Sequence, residues 1–106
     1  MAASADPARD RSGKYALPNI RSAMYWYMRE ALDPDHGDNL ALPPDPELLA
    51  DLCAPRFEVR ASGIVVEAKE KLKERIGRSP DAGDAVCLAH YRLRRFKLDV
   101  YFGQER

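Results

Sequence analysis

Gly77-Arg78-Ser79-Pro80-Asp81-Ala82-Gly83-Asp84-Ala85 decides how the chain is read, because it ends one helix and starts another without a loop between. Gly77 suits the left-handed residue that closes a helix. Ser79 is the expected cap of the next helix and Pro80 its expected first residue. Asp81 and Asp84 are three apart, so a helix sets both carboxylates on one face, near the positive end of its dipole. Such a pair either holds a divalent metal or stabilises a helix start. Spacing alone favours the second.

Upstream, residues 69–76 form the expected preceding helix. Leu72 and Ile76 point inward, and Lys69, Glu70, Lys71, Lys73, Glu74 and Arg75 make a mixed-charge outer face. Such a face is usually solvated; as a DNA-contact surface its candidates are Lys71, Lys73, Arg75 and Arg78. Downstream, Ala82, Ala85, Val86, Ala89, Leu93 and Phe96 recur at helical spacing, which predicts a helix from Pro80 to about Phe96. Gly83 weakens that helix by about 1 kcal/mol relative to alanine. Residues 99–106 read as a short strand or a tail.

Residues 56–68 read as a β-hairpin turning at Ser62–Gly63. That turn pairs Ala61 with Ile64, Val59 with Val66 and Phe57 with Ala68, all on one face, and sets Glu58 opposite Glu67. Before it, residues 45–54 form a short helix, capped by Asp45 and stopped by Pro55, whose buried side is Leu48, Leu49 and Leu52. Residues 33–39 hold three aspartates and His36, without the order of a calcium loop, and read as a solvated turn. Residues 17–32 make the first helix, with Asn19 as cap and a stripe of Ile20, Ala23, Met24, Tyr27 and Ala31. Arg21, Ser22, Arg29 and Glu30 are expected to face away, with Tyr25 and Trp26 on the flanks. Residues 1–16 carry no apolar periodicity and read as a flexible leader, leaving 17–106 as one domain.

The chain has 106 residues, with seventeen basic side chains balanced by seventeen acidic ones. Its size suits one small domain, and its neutral total gives no general attraction to nucleic acid. Cys53 and Cys87 fit no zinc spacing and read as reduced thiols. No apolar run is long enough for a membrane span or a signal peptide, which points to a soluble, cytoplasmic protein.

Three strings together resemble a known family: NIRSAMYWYMREAL (19–32), LPPDPELLADLCAPRFEV (42–59) and, after the hairpin, EAKEKLKERIGRSPDAGDAVCLA (67–89). This order is similar to the C-terminal end of the nuclease domain of phage large terminase subunits, the DNA-packaging motor proteins of tailed phages. The resemblance implies an RNase H-like fold, a sheet flanked by helices, that cuts concatemeric double-stranded DNA with two divalent metals, Mg²⁺ or Mn²⁺. Two such ions about 4 Å apart activate a water and stabilise the leaving oxygen. By this resemblance Asp81 is the first choice for the last acidic ligand and Asp84 the second, and both are the candidate catalytic residues.

The chain also departs from the family. It has no P-loop motif for the ATPase, and no convincing strand precedes Asn19 to carry the first two carboxylates. Asp6 and Asp10 are poor substitutes. The expectation is therefore an α+β fragment, helices packed on an antiparallel hairpin, that belongs to a phage or prophage nuclease and is not catalytically complete alone. A missing N-terminal half and other terminase or portal proteins are its expected partners, in the cytoplasm of a bacterial host. The alternatives are an active metal-dependent nuclease, and a non-enzymatic domain binding DNA or protein through Tyr25 and Trp26 or the 69–78 helix.

Overall fold

The helix stop at Gly77 has the left-handed backbone its sequence asks for, with φ of 76°. Its N–H closes helix α3 (Lys69–Ile76) by donating to the Lys73 carbonyl. Helix α4 (Asp81–Gly103) follows at once and is the longest element of the computed structural model. The structure describes residues 8–35, 37, 38 and 40–103, with side chains as far as Lys97. His36, Asn39 and the readings that fall on residues 1–7 and 104–106 lie outside the described residues.

Among the described residues, four helices and two small antiparallel hairpins make an α+β fold. Strands β1 (Ala8–Arg9) and β2 (Ala16–Leu17) form the first hairpin. Asp10 organises its turn, accepting hydrogen bonds from the Tyr15 N–H at 3.0 Å and the Ser12 hydroxyl at 2.9 Å. Residues 8–16 are thus ordered by a local polar turn, where low apolar periodicity suggested a leader. Leu17 is buried in the core beside Ala23, Tyr27 and Ile64.

Helix α1 (Ile20–Ala31) begins at Asn19, whose side chain accepts from the Ser22 N–H. Its buried arc is rotated from the expected stripe. Ile20 is exposed, whereas Ser22 and Tyr25 are buried. The reason is polar: the Ser22 hydroxyl accepts the Val66 N–H at 2.9 Å and so faces the second hairpin. Helix α2 (Pro46–Cys53) has the expected Asp45 cap, but it buries Leu48 and Asp51 and exposes Leu49.

The second hairpin pairs β3 (Phe57–Arg60) with β4 (Gly63–Val66). Phe57 lies opposite Val66, Val59 opposite Ile64 and Arg60 opposite Gly63, with Ala61 and Ser62 in the turn. The pairing is shifted by two residues from the one the sequence suggested, and the two-residue turn moves one position back, from Ser62–Gly63 to Ala61–Ser62. Gly63 explains it: a side chain there would strike the Ala16 backbone, so glycine lets β4 lie close against β2. A two-residue slip preserves facing, so Phe57, Val59, Ile64 and Val66 still share a side. The slip also removes the Glu58–Glu67 apposition, since Glu58 now faces Val65.

Helix α4 packs against α1 and α2, and α1 lies over β4. Met24, Tyr25, Met28, Val66 and Cys87 form one core cluster. The helix runs through residues 99–103, where a strand or tail was expected, and Leu93 and Phe96 are exposed although they continue the apolar stripe. Cys53 and Cys87 are both free thiols, the first exposed and the second buried. Among the described residues no helix is long and apolar enough to cross a membrane.

Candidate functional site

The start of α4 gathers side chains from three other helices. Asp51 of α2 is completely buried. One of its oxygens accepts the Gly83 N–H at 3.0 Å, and the other is paired with the Arg78 guanidinium. It therefore caps α4 from outside, satisfying a first-turn donor that a local cap would otherwise take. This displaces the role expected of Ser79, whose hydroxyl instead donates to Asp81 at 2.6 Å. Pro80 sits one residue ahead of the helix, and its carbonyl takes the Asp84 N–H.

Gly83 is what allows α2 to come so near. A β-carbon added there would lie 2.7 Å from the Asp51 Cβ and 3.4 Å from the Tyr25 hydroxyl. The glycine that looked like a weakness in α4 is a close-approach residue.

Asp84 is the organised carboxylate of the pair. Its Oδ1 accepts from the Tyr25 hydroxyl at 2.6 Å and from Arg21 Nη1 at 3.2 Å, both on α1. Lys69 Nζ of α3 lies 3.1 Å from Oδ2. Burial acts to raise the Asp84 carboxyl, but the hydrogen bonds from Tyr25 and Lys69 and the Arg21 charge outweigh it and hold the pKa below the usual carboxylate value. Burial and the Asp84 charge push the Tyr25 hydroxyl well up, so it stays a donor. Cys87, one turn along, is pushed up to about 12 by burial and the same carboxylate, which makes it an inert thiol.

Asp81 differs. Its side chain is 78% exposed against 16% for Asp84, and its carboxyl is lowered by the Ser79 hydrogen bond. Lys69 Nζ is 3.6 Å from it, so one ammonium spans both aspartates, in the position a bridging cation would take. Between α1, α3 and α4 the surface dips into a shallow recess of about 470 Å³ bordered by Arg21, Met24, Lys69, Asp81 and Asp84.

The four DNA-contact candidates are not equivalent. Lys71 is exposed, and Lys73 is half-buried with Nζ 3.9 Å from Glu70. Arg75 is tied down on the surface: it donates to both Glu67 oxygens, at 2.7 and 3.1 Å, and to the Ala54 carbonyl at 2.6 Å. Arg78 is committed to Asp51.

These residues do not fit a resident divalent ion held by the described chain alone. Both Asp84 oxygens already face donors, two of them cationic, and no group of three His, Cys, Asp or Glu is close enough to form a metal site among the described residues. What the arrangement does chemically is hold an ionised carboxylate in place and neutralise it. Sequence reasoning did not single out Arg21, Lys69 or Asp51. For Asp51 a signal was available: it is three residues beyond Leu48, on the side of α2 that must be buried.

No family model, no curated protein and no solved structure matches the chain.

Proposed function

We propose that this chain serves as the C-terminal part of the RNase H-like nuclease domain of a phage or prophage large terminase, acting in viral DNA packaging and concatemer cleavage. One observation carries the reading. The three strings that resemble the family converge on one turn: Arg21 and Tyr25 come from the first, Asp51 from the second, and Lys69, Asp81 and Asp84 from the third. In this reading Asp81 and Asp84 are both candidate ligands: Asp84 is the more firmly held, by Tyr25, Arg21 and Lys69, and an ion binding it would displace the Lys69 ammonium, whereas Asp81 is mostly exposed and bound by Ser79 and Lys69. Mg²⁺ or Mn²⁺ would supply Lewis-acid chemistry to a water. The chain's own part is to orient Asp84 and keep it ionised, with further carboxylates coming from sequence beyond this domain. Double-stranded DNA is the substrate, and the host cytoplasm the setting.

The DNA upstream of the coding sequence tests the family reading. A terminase-like ATPase–nuclease frame is expected there, and its absence overturns the proposal. Plasmid nicking tests the site. The chain alone is expected to give no metal-dependent nicking, whereas a protein joining it to the upstream segment nicks with Mg²⁺ or Mn²⁺ and loses this on Asp84→Ala. Undiminished nicking by that variant overturns the role of Asp84.

A second reading, a stand-alone DNA-binding domain without catalysis, draws on a recess of about 450 Å³ bordered by Arg56, Arg60, Lys69 and Lys71. It requires affinity for duplex DNA that falls steeply with salt. Salt-independent binding counts against it.

A further inference from the structure

Among the described residues strand β3 has β4 as its single neighbour in the sheet, and all four of its residues are exposed. Its outer edge is therefore open. Which groups face that edge follows from the ladder. Glu67 N–H donates to the Arg56 carbonyl at 2.8 Å, directly across the hairpin. Bonded positions alternate along an antiparallel strand, so Glu58 and Arg60 also turn their backbone groups toward β4. Phe57 and Val59 then present their N–H and C=O groups outward.

The side chains carry a matching pattern. Phe57 and Val59 lie on one face of β3 and are 44% and 59% exposed, although their partners Val66 and Ile64 across the hairpin are buried. Glu58 and Arg60 lie on the other face, mostly exposed, with their charged groups 2.7 Å apart. Phe57 rests edge-on against Trp26, with ring centroids 4.9 Å apart, so the uncovered apolar surface centres on Val59, beside an open edge of the kind that templates another strand.

The order Phe57-Glu58-Val59-Arg60-Ala61 is self-complementary when it runs antiparallel to a copy of itself. With the two-fold axis at Val59, Val59 meets Val59 of the second copy, Glu58 meets Arg60 at both ends, and Phe57 meets Ala61. Neighbouring symmetric registers fail on charge. An axis at Glu58 sets Glu58 against Glu58 and Arg56 against Arg60, and an axis at Arg60 sets Arg60 against Arg60. Like charges directly opposite are unfavourable, and opposite charges favourable.

We propose that two copies of this chain associate edge to edge through β3, in antiparallel register centred on Val59, to form a continuous four-stranded sheet. Val59 exchanges both of its backbone hydrogen bonds with its counterpart. The Glu58–Arg60 pairs of the two copies join into one alternating network on one face, and Phe57 and Val59 form a shared apolar row on the other. The interface is small, so the dimer is weak and forms with rising concentration.

Sedimentation equilibrium on the full chain over a wide concentration range tests this. The wild type is expected to shift from monomer toward dimer. Glu58→Arg and Arg60→Glu each place like charges opposite one another twice, and each should weaken the dimer about tenfold or more. The double variant Glu58→Arg/Arg60→Glu restores opposite charges and should restore association. Val59→Pro removes an outward N–H without touching the β3–β4 ladder, and should abolish the dimer while circular dichroism stays unchanged. A wild type that remains monomeric throughout overturns the proposal and leaves the edge to a strand of another protein. A dimer indifferent to Val59→Pro, or to both single charge variants, also overturns it. If Val59→Pro unfolds, the charge series decides alone, because those side chains are on the surface.

Discussion

Gly83 and Asp51 work as a pair, and neither role belongs to its residue type in isolation. Alanine in a helix is worth about 1 kcal/mol more than glycine, so Gly83→Ala in a free helix would stabilise. Here the added methyl meets the Asp51 Cβ at 2.7 Å, which is main-chain-proximal and has no flexible end to swing away. We expect Gly83→Ala to lower stability by about 1–3 kcal/mol, the usual cost of overpacking, read from the urea midpoint. Asp51→Ala removes the cap of α4 and strands the Arg78 partner, and its expected loss is about 2–4 kcal/mol. Asp84 makes a prediction in pH. Its folded pKa is below the unfolded value, so its contribution is complete above the unfolded pKa, near 4, and is lost as pH falls through the folded pKa. The melting-temperature gap between wild type and Asp84→Asn should thus be constant near neutrality and close as pH drops below about 4. A gap that persists unchanged into strong acid would show that the ion pairs with Arg21 and Lys69 contribute nothing.

At the scale of elements, apolar spacing and turn chemistry made the helices and the second hairpin legible. Helix α3 has the bounds its charge-and-leucine pattern indicates, and Gly77 ends it as expected. The rotation of α1 was hidden because it depends on a hydroxyl: Ser22 reads as a surface residue until Val66 N–H is known to lie beneath it. The hairpin register was hidden for a similar reason, since the contact that makes Gly63 necessary comes from Ala16, far away in sequence. The candidate site was half legible. Asp81 and Asp84 stand out from their spacing, whereas the Arg21, Tyr25 and Lys69 donors that distinguish them belong to other elements. Ser22→Ala tests the α1–β4 junction. It leaves a buried N–H without its acceptor, so stability should fall by about 1–3 kcal/mol despite alanine's better helix propensity. Equal urea midpoints would mean that water replaces the hydroxyl.

Across the whole molecule, packing is concentrated at one end of α4. The first half of that helix carries Gly83 against Asp51, Asp84 against α1 and α3, buried Cys87, and Tyr91 stacked on Tyr27 with ring centroids 6.2 Å apart. From Arg92 to Lys97 every residue is exposed, including Leu93 and Phe96. The Arg94 guanidinium lies over the Tyr27 ring there, 4.0 Å from its centre. Helical hydrogen bonds alone hold a segment weakly, because most helix stability in proteins comes from a buried face. Amides open locally in proportion to the packing that secures them. Native-state hydrogen exchange should therefore find the slowest amides of α4 between Asp84 and Tyr91, together with those of α1 and β4, and markedly faster exchange from Arg92 onward. Arg94→Ala should speed exchange in that distal segment and leave residues 84–91 unchanged. Uniform protection to Lys97 would mean that something covers Leu93 and Phe96 in solution, and the same measurement at low protein concentration would separate a second copy of the chain from a contact within one.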